Sequence, residues 1–106
     1  MAYELYLSEN AQENIRKLDN TARIMILKWL KKNVDGCIDP RIHGKTLEGK
    51  LSGYWRYRIG DYRVICAIFD NELVVLAIVI KKRDEVYDID LPPRESLTAD
   101  DIKSQG

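Results

Sequence analysis

"YWRYRIGDYRVICAIF", residues 54–69, alternates aromatic or aliphatic residues with Arg56 and Arg58 before a Gly60-Asp61 pair and carries Arg63 just after it, ahead of an apolar run. Period-two alternation around a two-residue turn signal predicts an antiparallel hairpin. Such a turn fixes the register: Ile59 faces Tyr62, Arg58 faces Arg63, Tyr57 faces Val64 and Arg56 faces Ile65. Trp55, Tyr57 and Ile59 then share one face with Tyr62, Val64, Cys66 and Ile68, while Arg56, Arg58 and Arg63 share the other. Like charges placed opposite each other destabilise a strand pair by about 0.2–1 kcal/mol, so the Arg58/Arg63 pair asks for an anion. Two kinds answer: an internal carboxylate, Asp61 or Glu48, or a phosphate, which guanidinium forks match in geometry and whose bases tyrosines can stack on.

Working outward, LVVLAIVI (73–80) follows the turn residues Asp70, Asn71 and Glu72, and it and YRVICAIF (62–69) are apolar on both faces, which predicts two central strands. Upstream, AYELYL (2–7) alternates as a half-buried strand. Ser8 is placed to cap a short helix with Ala11, Ile15 and Leu18 on one face. Asp19 to Thr21 restart the pattern for a second helix, whose apolar stripe is read as Ile24, Leu27, Leu30 and Val34 before Gly36. Residues 39–53, with Pro40, Gly44, Gly49 and Gly53, read as an ordered connection without regular structure. The order β-α-α-β-β-β predicts an α+β domain: an antiparallel sheet with an N-terminal helical hairpin packed on one face and the other face open.

After the last strand come Lys81, Lys82 and Arg83, then Tyr87. The end of that strand returns beside the start of the one carrying Tyr62 and Arg63, which brings Arg83 toward Arg63. The formal net charge is zero, yet Arg41, Lys45, Lys50, Arg56, Arg58 and Arg63 face only Glu48 and Asp61 within residues 41–63, and residues 84–106 hold seven acids against Arg94 and Lys103. Because screening confines a charge's reach to about 8–10 Å, an anionic partner meets the local patch and not the sum.

At 106 residues and 45% hydrophobic, the chain builds one core. No stretch approaches the roughly 18 apolar residues of a membrane span, and no leader pattern opens the chain, so the expectation is a soluble cytoplasmic domain without a membrane partner. Cys37 and Cys66 fit no metal-binding spacing, so both are read as reduced thiols, with no metal and no cofactor expected.

"LEGKLSGYWRYRIGDYRVICAI", followed by an apolar strand and "KKRDEVYD", resembles the RelE/ParE superfamily of toxins from toxin-antitoxin systems, and the likeness spans residues 1–88. The resemblance implies the RelE-like microbial ribonuclease fold and, for the RelE branch, a ribosome-dependent, metal-independent endoribonuclease that cuts mRNA. In that chemistry the ribose 2′-hydroxyl attacks the adjacent phosphate, which requires proton transfer and cations for the phosphorane. By motif, Arg63 and Arg83 match phosphate-stabilising arginines and Tyr87 the functional C-terminal tyrosine. Arg56 and Arg58, with Lys50, Lys81 and Lys82, are the expected RNA-binding cations.

The chain departs from the family pattern at several of these positions. Arg56 and Arg58 stand where relatives often carry lysines, and a guanidinium with a pKa above about 12 is a poor base. Glu48 replaces a commonly basic residue and is either an acid/base group or an ion-pair partner. Lys82 stands where several relatives have histidine, and His43 reads as a solvated loop residue. The implied partners are a cognate antitoxin and mRNA on the ribosome, with operator DNA reached only through the antitoxin complex. Two other readings stay open: a ParE-like inhibitor of DNA gyrase, and a catalytically weak antitoxin-binding co-repressor module. The acidic segment 89–106, interrupted by Pro92 and Pro93, is expected to be a mobile tail, with a short helix from Thr98 or closure over the arginine face as alternatives.

Overall fold

The hairpin takes the register its turn dictates. In a computed structural model, β3 (Trp55–Ile59) pairs antiparallel with β4 (Tyr62–Phe69), setting Arg58 opposite Arg63 and Arg56 opposite Ile65. Gly60 has φ of +57°, a conformation that glycine adopts without the Cβ penalty and that suits the first central position of a type II′ turn. The structure describes residues 1–105, and of Tyr87 and residues 103–105 the backbone alone.

Three further strands complete a five-stranded sheet of order β1-β5-β4-β3-β2, where β1 is Glu4–Leu7, β2 Gly44–Thr46 and β5 Val74–Lys82. β1 lies parallel to β5, so the sheet is mixed and the expectation of an antiparallel sheet is corrected. The two-helix connection carries the chain back to the opposite edge, which is what places two non-consecutive strands side by side in parallel. The segment read as an irregular connection contains β2, paired antiparallel with β3, and a 3₁₀ turn at Gly49–Leu51. A Cβ at Gly44 would stand 2.2 Å from Trp55 Nε1 and 2.5 Å from the Arg56 carbonyl, so only glycine lets this edge strand close on β3.

Helices α1 (Glu9–Arg16) and α2 (Asn20–Asn33) cover one face. Ser8 caps α1 by accepting from the Ala11 N–H (3.0 Å), and Asp19 caps α2 by accepting from the Ala22 N–H (2.7 Å). The remaining polarity of α1 has a structural task. β5 outruns the four-residue β1, and its free edge is completed by side chains: Ser8 Oγ and Asn10 Nδ2 each donate to the Ile78 carbonyl at 3.0 Å, and Asn14 Oδ1 accepts from the Ile80 N–H at 2.9 Å. In α2 the buried residues are Ala22, Ile26 and Leu30, spaced by four, and Val34 continues them. Ile24 and Leu27, read as core from the sequence, are 48% and 36% exposed.

The second face is not open. Tyr54, Ile65, Ala67, Phe69, Val74, Leu76 and Val79 form a second apolar cluster, covered by Val86, Ile89 and Ile102 with Leu91 and Leu97 packed alongside. Tyr54 donates to the Pro92 carbonyl at 2.6 Å, and the Arg94 guanidinium lies 4.4 Å over the Phe69 ring. Where a mobile acidic tail was the expectation, residues 89–98 cross the sheet and lead into a short helix, α3 (Ala99–Gln105), whose Ile102 is buried. The apolar residues spaced through the acidic segment are what anchor it.

One irregularity decides which residues share each face. Ile65 pairs with Val79 but Cys66 pairs with Ala77, so Ile78 is an extra residue on β5. This bulge reverses the alternation beyond it. Val79 and Lys81 join the face of Val74 and Leu76, while Ile80 turns to the helices.

Candidate nucleic-acid site

Beyond the apolar cluster, the second face ends in cations. Arg58 lies opposite Arg63 across β3 and β4, Arg63 opposite Lys81 across β4 and β5, and Lys45 opposite Arg56 across β2 and β3. Among the described residues no ion pair joins any of these arginines to a carboxylate. Neither internal carboxylate considered from the sequence forms an ion pair with these arginines among the described residues: Glu48 is exposed, and Asp61, whose charge acts on Arg63 without direct contact, offers its backbone carbonyl to the Arg83 N–H at 2.9 Å.

Arg63 is the buried member, 8% exposed, and its Nη1 donates to the Gly60 and Tyr62 carbonyls at 3.0 and 2.9 Å. The turn thus holds its guanidinium in place. Burial first, then the charges of Arg58, Arg56 and Arg83, push its pKa below the usual arginine value. An anion binding here would relieve both costs.

Arg56, Arg63 and Arg83 line one concavity of about 280 Å³ together with Asp84 and Val86. Arg58 lies in an adjoining one. The bulge sets Lys81 opposite Arg63 across β4 and β5, whereas Lys82 pairs with Tyr62; neither lysine lines the arginine concavities, and both line a hollow with Asn14 and Lys17. Lys50 and Glu48, exposed around the 3₁₀ turn at Gly49–Leu51, line neither arginine concavity. The backbone of Tyr87 falls in the 3₁₀ turn Val86–Asp88, just beyond Arg83, and its side chain is outside the described residues. Three guanidinium groups around one hollow have the donors and charge to hold a phosphate by several charge-assisted hydrogen bonds. No group of His, Cys, Asp and Glu among the described residues is arranged to hold a metal ion.

The model of the ParE toxin family of type II toxin-antitoxin systems, parDE, matches residues 5–87. The chain belongs to the RelE/ParE superfamily of toxins of type II toxin-antitoxin systems. Among its relatives, the mRNA interferase toxin RelE of Escherichia coli K12 is 36% identical over 90 residues, covering 82% of this chain and 92% of that protein. The intact RelBE toxin-antitoxin complex of E. coli contains a chain 29% identical, with a TM-score of 0.62 over 76% of this chain and 96% of that one. A RelBE complex of Mycobacterium tuberculosis gives a TM-score of 0.71 at 22% identity, over 78% of this chain and 93% of that one.

Proposed function

We propose that this toxin is an endoribonuclease that cleaves mRNA on the ribosome by attack of the ribose 2′-hydroxyl on the neighbouring phosphate. The observation that carries the reading is the convergence of Arg56, Arg63 and Arg83 on one hollow, with no carboxylate ion-paired to them among the described residues. In this reading Arg63 and Arg83 hold the scissile phosphate and stabilise the charge that develops as the phosphorane forms. Arg56, Arg58 and Lys81 grip the strand, with Lys82 and Lys50 farther out along it. Tyr87 exchanges a proton with the reacting oxygens.

The two N-terminal helices act as a hairpin that stiffens the sheet beneath the site. The partner that neutralises the toxin is a cognate antitoxin, as in the RelBE complex that the chain resembles. The cytoplasm is where both partners are met, and operator DNA is reached through the antitoxin alone.

The test is cleavage of a defined mRNA on programmed ribosomes. Wild type should cut, whereas Arg63→Ala and Arg83→Ala should slow cutting by about 10²-fold or more, the scale at which removing one preorganised charge donor acts. Parallel gyrase supercoiling assays test the other reading, a ParE-like inhibitor of DNA gyrase. Inhibition of supercoiling without mRNA cleavage would replace the ribonuclease assignment.

A further inference from the structure

Arg56 belongs to two hollows at once. Besides the one it shares with Arg63 and Arg83, it lines a second of about 260 Å³ with Ile42, His43, Gly44, Lys45 and Arg58. The first has an acid in its wall, Asp84, and the second has none. Its three cations come from neighbouring strands, and Lys45 stands directly opposite Arg56, a second like-charge cross-strand pair beside Arg58/Arg63. Two such pairs on adjoining strands raise the free energy of the unliganded face, and among the described residues no carboxylate forms an ion pair with any of their members. In addition, the Arg56 Nε is buried and has no hydrogen-bond partner among the described residues.

The remaining wall is of a different kind. Ile42 is 69% exposed, a large aliphatic side chain left in water, and His43 next to it is exposed with its ring edge-on to Trp29, centroids 5.9 Å apart. Apolar and aromatic surface beside a cation cluster is the composition that nucleotides select, with the base on the first and the phosphate on the second.

We infer that this second hollow is a nucleotide subsite. It holds the phosphate adjacent to the scissile one between Lys45 and Arg58, with that nucleotide's base against Ile42 and His43, and Arg56 bridges the two phosphates. The assignment rests on the ribonuclease reading for the identity of the strand. It makes the loop 41–46 a determinant of how the message is gripped.

The test uses the whole toxin and two uncleavable 2′-O-methyl oligonucleotides, ApA with one phosphate and ApApA with two, titrated while the NMR signals of the protein are followed. The chain has a single histidine, so its imidazole signals are unambiguous. Wild type should bind ApApA at least several-fold more tightly than ApA, and only ApApA should move the His43 signals strongly. Lys45→Ala should remove that advantage, leave ApA binding unchanged, and lower the salt slope for ApApA by about 0.7, the share of one single-strand phosphate. Arg63→Ala should weaken both oligonucleotides. If ApA and ApApA bind wild type equally, or if Lys45→Ala weakens both alike or neither, the subsite is wrong. Failure of Arg63→Ala to weaken ApA counts instead against the ribonuclease reading. Lys45 is exposed on an edge strand, and an unchanged thermal midpoint shows that its variant keeps the fold.

Discussion

Arg58 and Arg63 face each other across the central hairpin, and among the described residues no carboxylate forms an ion pair with either, an arrangement of like charges that lowers stability. Arg58→Thr should therefore raise the urea midpoint, by the equivalent of about 0.2–1 kcal/mol, while weakening RNA binding; a variant that loses stability would show that the pair is not repulsive. Asp70 shows the opposite electrostatics. Hydrogen bonds from Arg41 (2.9 and 3.0 Å) and then from the Tyr3 hydroxyl (2.6 Å) hold its carboxyl below the usual range. Because the unfolded chain takes up that proton more readily, the stabilisation is complete at neutral pH and is lost as pH falls below about 4. Asp70→Asn should be less stable than wild type at pH 7, and the gap in urea midpoint should narrow at pH 3. An equal gap at both pH values would contradict this linkage.

At the scale of elements, α1 is short and polar because its side chains stand in for a missing strand. Asn14→Ala would leave the Ile80 N–H without its acceptor, and a part-buried donor without a partner costs about 1–3 kcal/mol. Urea unfolding should show that loss, with faster hydrogen exchange at the Ile80 amide; unchanged exchange there would mean that water replaces Asn14. The hairpin was legible because a glycine turn and strict alternation admit one register. β2 was not, since three residues, Gly44, Lys45 and Thr46, carry no periodicity and form a strand only because β3 offers them an edge. The α2 stripe was misread for a related reason: Ile24 and Leu27 are as apolar as Ile26, and only the direction in which the helix meets the sheet decides which of them is buried.

For the whole molecule, the C-terminal segment closes the apolar half of the second face and leaves the cationic half uncovered. Deleting residues 89–106 removes Ile89 and Ile102, each of which contributes about 1.5–3 kcal/mol by burial. The truncated chain should melt at lower temperature and bind a hydrophobic dye such as anilinonaphthalene sulfonate; an unchanged melting point without dye binding would refute the packing.

The sequence by itself determined the α+β class, the hairpin and its register, the separation of its arginines from Trp55, Tyr57 and Tyr62, the helix cap at Ser8, and the likeness to the toxin superfamily. These follow from periodicity, turn chemistry and short-range hydrogen bonding, which a local stretch of chain contains in full. Tertiary structure alone decided the parallel placement of β1, the covering of the second face, and the positions of Lys81 and Lys82 relative to Arg63. The last depends on a single extra residue, Ile78: a bulge reverses every side chain beyond it, and whether it forms is settled by the neighbours that satisfy its backbone, Ser8 and Asn10, which lie about seventy residues away.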